Sequence, residues 1–311
     1  MSQIKNSNTA TDLSELVAKA TGPLEFGLTN DYMFRALLQK NQKVLKGLIC
    51  SALHKKPEEI RSVEIKNPII LGNSINEKNF VLDVHVLFNN NTLIDLEMQV
   101  LKYENWPDRS LGYLCRTFDN LNKGDDYINS KTAIQIGFLD FTLFPESPEF
   151  HSTYKLMNVK NQTFYSDKFI LSMVDLNHIE LATAEDKEYQ LDHWAALFKA
   201  TTWEDIKMIA KNNTDLQEAC ETLLQLSADD NIREQCDARR AYYARERHHK
   251  QVEQELADAR AAYDARERHH KQVEQELTYT QQELSDTQQK LSTLEAEISE
   301  LKALLAASKN N

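Results

Sequence analysis

Positive charge is in deficit along this chain, with 36 Lys and Arg against 48 Asp and Glu and a formal net charge of −12. Phosphate affinity comes largely from Lys and Arg neutralising the nucleic-acid backbone, so a general basic wrapper of nucleic acid is excluded, although a local basic rim is not. Cysteine is sparse and scattered: Cys50, Cys115, Cys220 and Cys236 form no CxxC pair. That spacing indicates neither a zinc site nor a disulfide framework, and reads as isolated cytosolic thiols. No apolar run reaches the roughly 18 residues a membrane span requires. The opening MSQIKNSNTATDLSELVAKA lacks the basic start and apolar block of a secretory signal. The expectation is a cytoplasmic protein with no membrane partner. No helix-turn-helix or zinc finger announces base reading.

What is present divides in three. At 311 residues the chain is long enough for one sizeable core and an appendage. We read a polar N-terminal tail over 1–22, a folded domain over 23–230 and a coiled coil over 231–311.

Within the domain, Phe80 to Val100 (FVLDVHVLFNNNTLIDLEMQV) has the pattern of two alternating strands joined by an Asn triplet. Pairing about Asn90 sets His85 opposite Asp95 and Asp83 opposite Glu97. Asp95, Glu97 and Gln99 share one face of their strand, and Ile94, Leu96, Met98 and Val100 the other. One face is then acidic and the other apolar.

Around the hairpin the periodicities alternate. Thr29-Asn30 can cap a helix that starts near Asp31 and continues through Met33, Leu37, Leu38, Val44, Leu45, Leu48 and Ile49. Arg61 to Leu71 alternates as a strand, and Glu104 to Asn122 is an amphipathic helix entered through Trp106-Pro107. Strands follow over Thr132 to Phe144, Tyr154 to Val159 and Phe169 to Leu176, and short helices containing Trp194, Phe198 and Ile206 close the domain.

The triplet Glu97-Met98-Gln99 after a strand carrying Asp83 resembles the PD-(D/E)XK nuclease superfamily, in which Asp on one strand is followed by Glu-X-Lys on the next. The closest resemblance is to the Rpn branch of recombination-promoting nucleases and transposases, where Gln commonly replaces that Lys. Asn30-Asp31-Tyr32-Met33-Phe34-Arg35, Lys123-Gly124-Asp125-Asp126-Tyr127 and Ile136-Gly137-Phe138-Leu139-Asp140-Phe141 are also similar to that branch, which together covers roughly 28–230. The resemblance implies an α/β fold with a restriction-endonuclease-like αβββαβ core, its mixed sheet flanked by helices. It implies a metal-dependent DNA endonuclease acting in recombination or transposition, with DNA as partner and Mg²⁺ or Mn²⁺ as cofactor.

Asp83, Glu97 and Gln99 are then the catalytic candidates. Asp83, Glu97 and the Met98 carbonyl form the expected metal-ligand set, because Mg²⁺ prefers hard oxygen donors. Asp31 is a further candidate ligand, although a carboxylate in a helix's first turn is also favoured by the helix dipole. Lys102, Arg109 and Arg116 are candidates for DNA contact. A Gln at position 99 can orient a water but carries no charge to lower its pKa. The alternative is therefore a degenerate nuclease-like head that binds DNA or scaffolds on its stalk.

The stalk repeats itself, 237–257 returning as 258–278, a period of 21 residues or three heptads. Leu277, Leu284, Leu291, Ile298 and Leu305 fall at position a, with Leu294 and Leu301 at d, the seam of a coiled coil that would make a homodimer. Copying whole heptads lengthens a rod without changing its register. His248-His249 and His269-His270 lie inside the copied unit and read as part of that duplication rather than as a metal site.

Overall fold

The computed structural model describes residues 10–68, 84–103, 105–119, 121 and 123–308. Helix α1 (Ala10–Lys19) opens it, followed by α2 (Asp31–Lys40) and α3 (Gln42–Ala52). Three strands come next, β1 (Val63–Ile65), β2 (Val84–Phe88) and β3 (Thr92–Gln99), and then α4 (Trp106–Phe118) and β4 (Thr132–Leu139). Strands β5 (His151–Lys155) and β6 (Phe169–Asp175) complete a six-stranded sheet of order β1-β2-β3-β4-β6-β5. Helices α5 (Ala184–Glu188), α6 (Leu191–Lys199), α7 (Trp203–Ala210) and α8 (Thr214–Ser227) precede the long α9 (Asp230–Ser308). Helix, three strands, helix and strand thus arrive in the expected αβββαβ order.

The hairpin closes as its sequence requires. Asn89 and Asn90 both take left-handed backbone angles, φ 50° and 62°, which Asn tolerates better than most residues and which match the twist of a tight hairpin. Phe88 pairs with Thr92 and His85 with Asp95. The Asn89 side chain also accepts from the Arg61 amide at 2.7 Å and donates to the Glu59 carbonyl at 2.8 Å, fixing the approach to β1. Asp83, and with it the Asp83–Glu97 pairing, lies outside the described residues.

Strand β3 is the pivot of the sheet, antiparallel to β2 on one side and parallel to β4 on the other. Its Ile94, Leu96 and Met98 pack with Ile134, Ile136 and Phe138 of β4 into the main core beneath the helices. There Phe34, Phe138 and Phe198 meet ring to ring at 5.8, 5.5 and 5.2 Å. The opposite face carries a smaller cluster of Trp106, Leu139, Phe141 and Met173. The acidic face of β3 is therefore buried too, because α4 covers it.

Five boundaries differ from the sequence reading. The helix expected to run from Asp31 past Ile49 is two helices, broken at Asn41. That residue leaves the helical region (φ −130°, ψ 103°) and its side chain accepts from the Lys43 and Val44 amides, a local alternative to helix continuation that Asn makes available. The segment 1–22, read as a polar tail, contains α1, whose Val17 packs on the core; just after it the Ala20 carbonyl accepts from Lys207 at 2.8 Å. Strand β4 stops at Leu139 rather than Phe144, and β5 begins at His151 rather than Tyr154. The compact unit runs to Ala244, beyond the expected limit of 230; the second unit is Arg245–Asn311. In that second unit Leu277, Leu284, Leu291, Leu294, Ile298 and Leu301 are all exposed.

All four cysteines are free thiols, with only Cys115 exposed. Burial pushes Cys50 up to about 11 and Cys220 and Cys236 up to about 12, far from the thiolate form that reacts. Titration of the native chain with a disulfide reagent at neutral pH should modify Cys115 alone, and all four thiols in denaturant. Fast modification of Cys220 in the native chain would contradict the packing of α8.

Candidate functional site

Parallel pairing of β3 with β4 sets Asp95 beside Gln135 and Glu97 beside Gly137, and antiparallel pairing with β2 sets His85 beside Asp95. Asp95 and Gln135 are fully buried, with Glu97 at 4 % and Gln99 at 6 % exposure. Burying carboxylates costs stability unless they are paired or bind a cation. A face of this composition is not what a sheet would use for packing alone.

Helix α4 supplies the balancing charge. Arg109 donates to Glu97 Oε1 at 3.1 Å and to the Tyr113 hydroxyl at 3.2 Å. Its guanidinium sits 5.7, 5.8 and 5.3 Å from the ring centres of Tyr103, Trp106 and Tyr113, within range for cation–π attraction. Gly137 lets α4 pack close beneath this group: a Cβ there would meet Met173 Sδ at 2.9 Å and Trp106 Cζ2 at 3.3 Å.

Around this pair stand three polar groups of different character. His85 Nε2 lies 3.6 Å from Asp95 Oδ1. Its imidazole is held below the ordinary 6.5, first by burial and then by the charge of Arg35. Gln99 donates through Nε2 to the Leu101 carbonyl at 2.7 Å, which uses one of its two N–H donors and leaves its oxygen as the acceptor. The Gln135 amide has no hydrogen-bond partner among the described residues, a rare condition for a buried polar group.

The sequence candidates therefore divide. Glu97 and Gln99 share the buried face with Asp95, and Met98 lies between them with its side chain in the core. Arg109, expected to contact DNA, pairs with Glu97, while Lys102 and Arg116 are exposed before and on α4. Asp31 has a different role. Its carboxylate accepts from Arg239 Nε at 2.8 Å, from a second Arg239 nitrogen and from the Tyr243 hydroxyl, all on α9. None of its hydrogen bonds or ion pairs among the described residues reaches β3. Burial and the Asp31 charge push the Tyr243 phenol up, so it stays a donor. Gln135 and the Arg239–Tyr243 pair were not singled out from sequence. A lone Gln inside the apolar run TAIQIGFL was the available signal for the first; nothing local signalled the second.

A family model described as PD-(D/E)XK nuclease family transposase matches residues 28–255. Comparison with curated proteins and with solved structures returned no match.

Replacing Asp31 by Ala leaves a buried Arg239 without its anion, which typically costs about 3–5 kcal/mol. Urea denaturation of the full chain should show a loss of that order. A loss within the roughly 0–1 kcal/mol usual for exposed pairs would mean that the α2–α9 contact does not secure the domain.

Proposed function

Because the chain belongs to the PD-(D/E)XK nuclease family transposases, we propose that it is a Mg²⁺-dependent DNA endonuclease acting in recombination or transposition, with Glu97 at its centre. The supporting observation is the buried face of β3, where Asp95 and Glu97 stand beside the Gln135 amide, which has no hydrogen-bond partner among the described residues. Nucleases of this superfamily generally use divalent metals, and these donors suit one: carboxylate and amide oxygens are hard ligands of the kind Mg²⁺ or Mn²⁺ takes. In the reading we favour, Asp83, Glu97 and the Met98 carbonyl hold the ion, and Asp31, engaged with α9, does not. When bound, the ion supplies charge stabilisation at the phosphoryl oxygens and lowers the pKa of a bound water.

The chain's own groups do the rest. The carbonyl of the Gln99 side chain is placed to accept a hydrogen bond from the attacking water and so to orient it, a positioning role without charge. Arg109 reaches Glu97 from a half-exposed position on α4 and can pass to a phosphate oxygen of the substrate, where its planar fork makes paired hydrogen bonds. Its aromatic surroundings hold the guanidinium near both partners. Lys102 and Arg116, exposed along the same approach, neutralise flanking phosphates. The surface of β3 keeps these distances fixed because a sheet is rigid.

A second reading has one observation in its favour: Gln99 spends one N–H on Leu101, as a residue retired from catalysis would. In that case the domain is a DNA-binding or scaffolding head. Plasmid nicking by the full chain in Mg²⁺ or Mn²⁺ decides between the two. The nuclease reading expects nicking by the wild type and background levels in Glu97→Gln, which keeps the shape of the side chain and removes its charge. Equal nicking by both would remove Glu97 from the site, and no nicking by a folded wild type in either metal would favour the scaffold.

For the exposed leucine column at 277, 284 and 291, the reading is a homodimeric coiled coil. Sedimentation velocity should give a dimer for the wild-type chain and a monomer for the double variant Leu284→Glu, Leu291→Glu. A monomeric wild type at tens of micromolar would end the dimer assignment.

A further inference from the structure

Away from the β3 face, three side chains from distant parts of the chain converge. His54 lies in the turn after α3, His151 opens β5, and Asp186 belongs to α5. Asp186 Oδ1 is 3.1 Å from His54 Nε2 and 3.0 Å from His151 Nδ1, and the three atoms lie within 4.8 Å of one another. We propose that His54 Nε2, His151 Nδ1 and Asp186 Oδ1 form a second metal site, for a borderline transition-metal cation of the Zn²⁺ type.

The donor set favours that class of ion. Two imidazole nitrogens and one carboxylate oxygen suit Zn²⁺ and its neighbours, whereas Mg²⁺ prefers oxygen alone. With bonds of about 2.0–2.1 Å, ligand atoms around a tetrahedral zinc stand roughly 3.3 Å apart. The separations from Asp186 Oδ1 need to open by only a few tenths of an ångström.

Each ligand is also held from behind. Ser172 Oγ lies 2.9 Å from His151 Nε2, so with the ring proton on that nitrogen Nδ1 presents its lone pair to an ion. The Thr183 amide and hydroxyl donate to Asp186 Oδ2 at 2.8 and 2.6 Å, occupying one carboxylate oxygen and presenting the other. Glu185 Oε1 stands 3.5 Å from His54 Nδ1, the carboxylate–histidine arrangement common behind metal-bound imidazoles. Tyr189 stacks on the His54 ring at 5.2 Å, and His54 itself adopts φ 49°, a left-handed conformation unusual for a residue with a side chain.

Exposure is graded across the three. The Asp186 and His151 side chains are 2 % and 7 % exposed and that of His54 is 19 %. His54, the most exposed of the three, is the side from which an ion enters, and the three residues leave a fourth position for water or another ligand. This site is independent of the nuclease reading, since none of its residues lies in β3 or α4.

Co²⁺ serves as the probe, added to the full-length protein and followed by visible absorption, with Zn²⁺ as competitor. One tetrahedral Co²⁺ per chain is expected, its bands displaced by Zn²⁺ and unchanged in Glu97→Gln, with the affinity lowered about 10- to 100-fold in Ser172→Ala, where only an outer contact is lost. Because Asp186 caps α5, the ligand variant of choice is His54→Asn, which suits the left-handed backbone and removes the imidazole; its bands should vanish. Failure of the folded wild type to develop tetrahedral Co²⁺ bands would overturn the site. Uptake that persists undiminished in His54→Asn would do the same, placing the ion on other histidines such as the 248–249 and 269–270 pairs.

Discussion

A carboxylate in the middle of a sheet is a cost that a fold accepts only with something to balance it. Glu97 stands on the central strand with Asp95 two residues before it on the same face, and what balances Glu97 comes from outside the sheet. Arg109 is on the crossover helix between β3 and β4, so the connection that makes those strands parallel also delivers the guanidinium. The pair ties topology to chemistry: the helix that joins two parallel strands also carries the cation that meets Glu97. Its half-exposed cation leaves Glu97 paired in the free protein while remaining able to find an anion in solution.

Much of this was legible because it was local. The Asn triplet, the alternation on either side and the His85–Asp95 register are short-range features, and the hairpin adopts them. Caps were legible for the same reason: Asn30 opens α2 and accepts from the Met33 amide at 3.2 Å, as its position before Asp31 suggested. Asn41 was missed because apolar spacing at 33, 37, 38, 44, 45 and 48 stays nearly helical across it, and periodicity does not register a one-residue break. The burial of the acidic face was missed on other grounds. Alternation says which side chains share a face, but the presence of a cover over that face depends on α4, several residues downstream.

The least legible features join residues that are far apart in sequence. Asp31 meets Arg239 and Tyr243 across more than 200 positions, and the first turns of α9 thereby belong to the folded unit rather than to a stalk. His54, His151 and Asp186 come from three separate elements, and none has a spacing that points to the others. In both places a residue with an adequate local explanation, a helix-dipole carboxylate or a capping-box Asp, takes on a further partner only in the folded chain.

Gly137 illustrates a different kind of constraint. Its importance lies in thickness rather than in backbone freedom, since the space above it is already filled by Met173 and Trp106. The gap between sheet and helix at that point is set by a hydrogen atom. Even one methyl group would displace the end of Met173 and press on Trp106, the first residue of α4, by a few tenths of an ångström. A change there bears on the helix that carries Arg109 while every charged and polar group facing β3 remains in the sequence.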